Sequence, residues 1–194
     1  MTGVDSSKTI GVLALQGAYA LHQSHIESLG AKYQEVRTAK DLQLCDGLIL
    51  PGGESSTILR LIEYKGLWND LENFLNSKPS WGICAGAILL ASKVSSHEQK
   101  SFQVLPMTIS RNGYGRQLDS HEGLLENYKV SWIRAPKIQD FSEDLDILCT
   151  HGEQVVGVRG RQAMATTFHP ELNFQSPSPW HQSFLQLIES HQVH

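Results

Sequence analysis

A cysteine, Cys84, stands in the pattern Gly82-Ile83-Cys84-Ala85-Gly86 at the end of an apolar run. This Gly-x-nucleophile-x-Gly spacing is typical of an elbow, in which the glycines permit a tight strand-to-helix turn that exposes the central side chain. The helix N-terminus lowers the pKa of a thiol placed there, and the backbone N–H of Ala85 becomes available to an oxyanion. A cysteine in an apolar run is otherwise an inert packing residue, so both interpretations stay open on this pattern alone.

A base and an acidic partner for such a nucleophile occur in the segment "TTFHPEL", residues 166–172. His169 and Glu171 are two residues apart, so they lie on the same face if the segment is extended. Pro170 disfavours helical geometry at His169. The carboxylate can then hold the imidazole tautomer and stabilise its cationic form, as the acidic member of a triad does. The alternative is a histidine and a glutamate exposed in a surface loop.

A turn rich in glycine, "LPGGESS" (50–56), follows another apolar run. The backbone donors of Gly52 and Gly53 can line an oxyanion hole or hold a substrate carboxylate. The same turn can be an ordinary strand-to-helix connection with Ser55 or Ser56 as the N-cap. A cap and a site are compatible in one turn.

The elements that position these residues alternate between strand and helix in the first half of the chain. We predict a strand over 9–15, then a helix that begins after Gln16 and Gly17 and that Gly30 stops. The same order recurs in strands at 33–36, 47–50 and 79–84 and in helices at 56–64, 67–75 and 85–92. This alternation predicts a parallel sheet with helices on both faces, whose ligands bind beyond the carboxyl ends of the strands.

The second half, from about Phe102, is mostly strand-like, so part of the sheet is expected to be antiparallel. A hairpin turn is predicted around Gly160, and Ser178 with Pro179 is typical of an N-cap followed by the first residue of a last helix. We therefore expect a layered α/β/α domain over residues 9–194, with a mixed, partly antiparallel second half. Residues 1–8 are interpreted as a flexible N-terminal tail.

The composition disfavours several classes of partner. The chain has 194 residues, 40% hydrophobic, with a formal net charge of -4 and no long basic run, so we expect neither nucleic acid nor an anionic membrane as a partner. The longest purely apolar stretch, 87–91, is far below the roughly 20 residues that cross a bilayer. The polar opening lacks a secretory signal, and three widely spaced cysteines suit a reducing compartment, which predicts a cytoplasmic location.

Four other residues with ligating side chains are weaker candidates. His22 and His25 are one helical turn apart and can bind a metal, but a polar helix face is the favoured interpretation. Cys45 and Cys149 occur in apolar contexts and are interpreted as packing residues.

A glycine turn, a cysteine elbow and a late His-Pro-Glu, in this order, resemble the class I (triad) glutamine amidotransferases. These enzymes hydrolyse glutamine to glutamate and pass the ammonia to a synthase. Within that group the sequence is similar to the glutaminase subunits of pyridoxal 5'-phosphate synthases. The segments that carry the resemblance are "GVLALQGA" (11–18), "LILPGGESST" (48–57), "WGICAGAI" (81–88), "RNGYGRQLDS" (111–120), "IRAP" (133–136) and "FHPEL" (168–172).

The resemblance implies a single-domain, flavodoxin-like fold and a role for each matching residue. Cys84 is implied as nucleophile, His169 as general base and then acid, and Glu171 as the residue that orients His169. The implied oxyanion donors are Gly52, Gly53 and Ala85, the implied glutamine-binding residues are Gly53, Glu54, Ser55, Arg111, Ile133 and Arg134, and Gln16 is implied near the oxyanion region and the synthase interface.

The resemblance also implies L-glutamine as substrate, a pyridoxal 5'-phosphate synthase subunit as protein partner, and no metal or organic cofactor. Low activity is expected of the isolated chain. Three alternatives stay open: an amidotransferase of another pathway such as histidine biosynthesis, a cysteine hydrolase of the same architecture without a glutamine site, and a non-catalytic interaction subunit. "GGESS" and "RNGYGRQ" speak against the first, and the intact Cys-His-Glu set speaks against the last.

Overall fold

A computed structural model describes residues 7–95, 98–111 and 120–191 of the chain. Its strands are β1 (Thr9–Leu13), β2 (Lys32–Val36), β3 (Gly47–Leu50), β4 (Ser80–Ile83), β5 (Ala91–Val94), β6 (Leu105–Ser110), β7 (Ser120–Leu125), β8 (Tyr128–Ile133), β9 (Lys137–Phe141), β10 (Asp146–His151), β11 (Gln154–Arg159) and β12 (Ala163–Thr166). Its α-helices are α1 (His22–Ser28), α2 (Ala39–Gln43), α3 (Ser55–Tyr64), α4 (Trp68–Ser77), α5 (Ala85–Leu90) and α6 (Pro179–His191).

A seven-stranded sheet with the order β10-β11-β12-β4-β3-β1-β2 forms the centre of the molecule. The pairs β1–β2, β1–β3, β3–β4 and β4–β12 are parallel, whereas β10–β11 and β11–β12 are antiparallel. Two small sheets, β5-β6-β9 and β7-β8, accompany it. The predicted mixture of a parallel first half and a partly antiparallel second half is confirmed.

Helices cover both faces of the central sheet. The core on one side contains Ile26 of α1 and Phe184 of α6, and the core on the other contains Ile58 of α3 and Leu71 of α4. Along β3, Leu48 and Leu50 belong to the second core and Ile49 to the first, because successive strand residues point to opposite faces. The predicted α/β/α layering is therefore confirmed.

Two local predictions for the second half also agree with the structure. The backbone N–H of Gly160 donates to the carbonyl of Ala163 at 2.8 Å and closes the hairpin between β11 and β12. The last helix begins at Pro179, and the Ser178 hydroxyl accepts from the backbone N–H of His181 at 3.2 Å, as an N-cap does. Residues 1–6 of the predicted tail and 192–194 of the predicted domain lie outside the described residues.

The sequence prediction lacked four of the helices and strands that the structure contains. Helix α2 has a capping box, in which the Thr38 hydroxyl accepts from the N–H of Asp41 while the Asp41 carboxylate accepts from the N–H of Thr38. Strands β5, β7 and β9 were also unpredicted, and β5 begins at Ala91, where the helix predicted over 85–92 was wrongly continued. None of the helices within the described ranges is long and apolar enough to cross a membrane.

Candidate active site

Cys84 occupies the sharp turn between β4 and α5. Its backbone has φ 50° and ψ -101°, in the region that residues other than glycine rarely adopt. Two residues later, a Cβ on Gly86 would lie 1.9 Å from the carbonyl oxygen of Leu50, so only a glycine lets α5 pack this closely on β3. The strand, turn and helix thus form the strained elbow expected from the glycine spacing, and the backbone strain fits the strain that is stored at functional sites.

His169 and Glu171 follow β12, the strand that pairs with β4. The Nδ1 of His169 and the Oε1 of Glu171 are 2.7 Å apart, and the two side chains are 8% and 0% exposed. The N–H of His169 donates to the carbonyl of Ser131 at 2.8 Å, which fixes the backbone here. The expected contact is present, but an extended segment is the wrong reason for it, because Glu171 lies in a 3-10 turn that Pro170 opens.

Mutual electrostatics set the charges of this pair. Burial by itself lowers the pKa of His169, but the Glu171 charge and the side-chain contacts with Cys84 and Glu171 outweigh it and raise that pKa above its ordinary value. Burial by itself raises the pKa of Glu171, but the charge and the hydrogen bond of His169 leave it lowered. The arrangement therefore favours an imidazolium held between a thiol and a carboxylate. The thiol of Cys84 also contacts the carbonyl of Ile133, at 3.9 Å.

A cavity of about 270 Å³ opens above Cys84. Every residue that the sequence predicted for the site lines this cavity, with the exceptions of Gly52 and Glu171. Ile88 lines it as well and was missed by the sequence analysis. Its position is the signal that could have found it, because residues four apart lie on the same face of a helix, and Ile88 is four residues after Cys84.

The two glycines of the turn after β3 have different neighbours. A Cβ on Gly52 would lie 2.2 Å from Cε1 of His169, so the backbone of the turn packs directly against the imidazole ring. A Cβ on Gly53 would lie 2.4 Å from Oε1 of Gln16, which accepts a hydrogen bond from the N–H of Glu54 at 2.9 Å. Gln16 therefore ties the loop after β1 to the glycine turn.

The N-cap of α3 is Glu54, so the expectation of Ser55 or Ser56 as the cap was wrong. The Glu54 carboxylate accepts from the backbone N–H groups of Ser56 at 3.4 Å and Thr57 at 2.7 Å, and a glutamate reaches both from its extended backbone. Burial works against the charge, but the hydrogen bonds from Thr57 and Ser56 lower the pKa of Glu54 to about 2. The carboxylate is therefore ionised at neutral pH.

Arg111 lies at the same rim of the cavity. Its guanidinium donates to Glu54 at 2.8 Å and to the Oε1 of Gln99 at 3.0 Å. The hydroxyl of Ser55 also donates to the Oε1 of Gln99, at 3.0 Å. Gln99 thereby links two of the predicted glutamine-binding residues, and the sequence analysis missed it because it lies in irregular chain outside every recognised motif.

The predicted "IR" pair forms another part of the cavity wall. Ile133 ends β8, and Arg134 has a positive φ of 44°. Both residues line the cavity. The remainder of the "RNGYGRQLDS" stretch, residues 112–119, lies outside the described residues.

The histidines of α1 are buried, so the expectation of a polar helix face was wrong for both His22 and His25. Helix α6 covers them, and its His181 forms a 2.8 Å hydrogen bond with His22. Across residues 7–95, 98–111 and 120–191, no group of three or more His, Cys, Asp or Glu side chains is arranged to hold a metal ion. Cys45 and Cys149 are buried free thiols, as predicted, and burial raises the pKa of each to about 12.

Comparisons with known proteins find relatives along most of the chain. The chain is 37% identical over 189 residues to the pyridoxal 5'-phosphate synthase subunit PdxT of Fervidobacterium nodosum, which covers 94% of this chain and 98% of that protein. It is 42% identical over 170 residues to the subunit of the same name from Bacillus thuringiensis, covering 84% and 87% of the two chains. A crystal structure of a glutamine amidotransferase superimposes with a TM-score of 0.85 at 36% identity, covering 93% of this chain and 98% of that one.

The match to a protein family extends over nearly the whole sequence. Residues 12–190 match the SNO glutamine amidotransferase family, a range that includes the elbow, the glycine turn and the His-Pro-Glu segment. The chain therefore belongs to the SNO glutamine amidotransferase family.

Proposed function

We propose that the chain is the glutaminase subunit of a pyridoxal 5'-phosphate synthase. It hydrolyses L-glutamine to L-glutamate and ammonia, and it delivers the ammonia to a synthase subunit. The observation that carries the proposal is the position of Cys84, on a strained elbow at the floor of a cavity and beside a His169 ring that Glu171 holds at 2.7 Å. The names of the relatives support the pathway.

The first chemical step is attack of the Cys84 sulfur on the side-chain carboxamide of glutamine. The negative charge then develops on the former carbonyl oxygen, next to the N–H of Ala85 and the glycine turn of Gly52 and Gly53. Backbone donors fixed in this way stabilise such an oxyanion without reorganisation. The raised pKa of His169 supports this step, because the ring retains its proton at neutral pH and its positive charge lies beside the attacking sulfur.

The second stage releases the products. His169 gives its proton to the departing nitrogen, so ammonia leaves and a thioester links the glutamyl group to Cys84. The ring then takes a proton from water, whose oxygen attacks the thioester and frees glutamate. Glu171 keeps Nδ1 occupied throughout, so that Nε2 is the nitrogen that exchanges protons.

Recognition of the amino-acid end of glutamine is assigned to the rim of the cavity. Arg111 and Arg134 are the cationic side chains there, and a guanidinium can donate two hydrogen bonds to a carboxylate. Glu54, ionised and bound to Arg111, offers an acceptor for an ammonium group.

The reaction as written uses neither metal nor organic cofactor. Pyridoxal 5'-phosphate is the product of the partner, and the three free cysteines support a cytoplasmic location.

The test is release of glutamate from glutamine by the chain alone, by the chain with its cognate synthase subunit, and by the Cys84→Ala variant in both settings. We expect weak release by the isolated chain, strong stimulation by the synthase subunit, and loss of both in the variant. A matched control is Cys149→Ala, which removes a buried thiol outside the cavity and leaves stimulated release intact.

Three outcomes would overturn the proposal in different ways. Turnover that survives Cys84→Ala would remove the nucleophile from the mechanism. Turnover that depends on Cys84 but is unchanged by the synthase subunit would retain a glutaminase and point to an amidotransferase of another pathway. Reaction of Cys84 with thiol reagents but not with a diazoketone analogue of glutamine would favour a cysteine hydrolase.

A further inference from the structure

A network of buried polar side chains, made of Ser178, His181 and His22, connects α6 to α1. The hydroxyl of Ser178 is 2.6 Å from Nδ1 of His181, and Nε2 of His181 is 2.8 Å from Nδ1 of His22. All three residues have at most 1% of their surface exposed. Trp81 of the central sheet packs edge-on against both rings and helps fix their orientation.

Next to this network, two buried side-chain atoms have no hydrogen-bond partner among the described residues. Nε2 of His22 and Oε2 of Glu171 make no hydrogen bond to any described residue. The two groups are nevertheless close enough to act on each other's charge, since Glu171 raises the pKa of His22 and His22 lowers that of Glu171. An unpaired buried donor and an unpaired buried carboxylate oxygen are each costly, so two such atoms on side chains that act on each other's charge point to an interaction between them.

The direction of the hydrogen bonds in the Ser178-His181-His22 network follows from the negative charge of Glu171. If Ser178 donates to Nδ1 of His181, then His181 donates from Nε2 to Nδ1 of His22, and His22 carries its proton on Nε2. The opposite polarity would leave a lone pair on Nε2 of His22 facing a carboxylate. The negative charge of Glu171 therefore selects the first arrangement, in which every donor points toward the triad.

We infer that His22 is a positioning residue for the glutaminase reaction, which presents its Nε2–H to Oε2 of Glu171 through one bridging water and so fixes the carboxylate that orients His169. His181 and Ser178 determine the tautomer in which His22 can do so. The inference rests on the proposed function, because it gives His22 a role through Glu171 and His169.

The charge state of the cluster agrees with this role. Burial lowers the pKa of His22 to about 4, although Glu171 partly opposes it and His25 and His169 add to it. Burial also lowers the pKa of His181 well below its ordinary value. Both rings are therefore neutral at pH 7, with one donor and one acceptor nitrogen each, as the network of hydrogen bonds requires.

The test compares two substitutions that separate the nitrogens of His22. An asparagine amide matches the position of Nδ1 and can keep the bond to His181, whereas a glutamine amide matches Nε2 and can still donate toward Glu171. We measure the rate of alkylation of Cys84 by iodoacetamide against pH, by peptide mapping, in wild type, His22→Asn and His22→Gln. Loss of a hydrogen bond to the charged form of a carboxylate raises the pKa of that carboxylate.

We therefore expect the rate at the acid end of the profile to fall off at higher pH in His22→Asn than in wild type, and to return toward wild type in His22→Gln. The matched control is Ile26→Ala, which removes a fully buried apolar side chain from the same helix. It lowers the thermal unfolding midpoint but leaves the profile in place, since it changes no polar contact of Glu171.

The outcomes separate this inference from the proposed function. Profiles of both His22 variants that superimpose on wild type, or that move only as Ile26→Ala does, would overturn the positioning role. If the profile of His169→Asn superimposes on that of wild type, the triad itself is overturned. Glutamate release in the presence of the synthase subunit provides the second readout. We expect His22→Asn to lower kcat per folded molecule and to leave the KM for glutamine unchanged. A general loss of folded protein would lower the total rate but not kcat per folded molecule.

Discussion

Substitution of Gly52 by alanine tests whether the glycine turn holds the His169 ring in place. The added Cβ would lie 2.2 Å from Cε1 and 2.7 Å from Nδ1 of His169, whereas ordinary contact begins near 3.4 Å. The ring must therefore retreat by roughly 1.2 Å. A displacement of about 1 Å in a catalytic group costs on the order of 100-fold in rate, which corresponds to about 2.7 kcal/mol in activation free energy.

The assay is steady-state glutamate release by Gly52→Ala with the synthase subunit present. We expect kcat to fall about 100-fold and the KM for glutamine to change little, because the arginines at the rim are untouched. The control is Gly30→Ala: its Cβ meets nothing within 4 Å, but its φ of 76° costs about 1 kcal/mol of folding free energy, so stability falls while kcat holds. A kcat of Gly52→Ala within threefold of wild type would refute the reasoning.

Two further predictions concern the rim of the cavity. Arg111→Met removes a guanidinium that lines the cavity, and we expect the KM for glutamine to rise roughly 10- to 100-fold with a smaller change in kcat, as measured by initial rates; an effect confined to kcat would contradict a role in binding. Glu54→Gln removes a carboxylate whose folded-state pKa, about 2, lies below its unfolded value, so its stabilising effect is full above about pH 4.5 and is lost as the pH falls toward 2. Urea unfolding should accordingly find a gap between wild type and Glu54→Gln at pH 7 that narrows at pH 3, and a gap of constant size would contradict the assignment.

The sequence predicted the parts of the site that depend on local spacing. The elbow around Cys84 follows from two glycines, and the hairpin at Gly160 and the start of α6 at Pro179 follow from turn and cap residues. These features need only a few consecutive residues, whose steric preferences act regardless of the rest of the fold.

The parts that failed depend on distant segments. The spacing of His22 and His25 shows that they share a helix face, but not that α6 covers this face with His181. Glu54 as N-cap was missed because serine is the commoner cap, and the longer side chain is held in place by Arg111, far along the chain. Gln99 was missed for the same reason, since its role exists only where two separate segments meet.

The position of β12 determines when during synthesis the site can be completed. This strand lies inside the central sheet, between β11 and β4, and it leads directly to His169 and Glu171. Cys84 and its neighbours leave the ribosome much earlier, because synthesis proceeds from the N-terminus. A nascent or prematurely ended chain that lacks β12 therefore carries the nucleophile without its base, and glutamine hydrolysis begins only after the last strand has been inserted into the middle of the sheet.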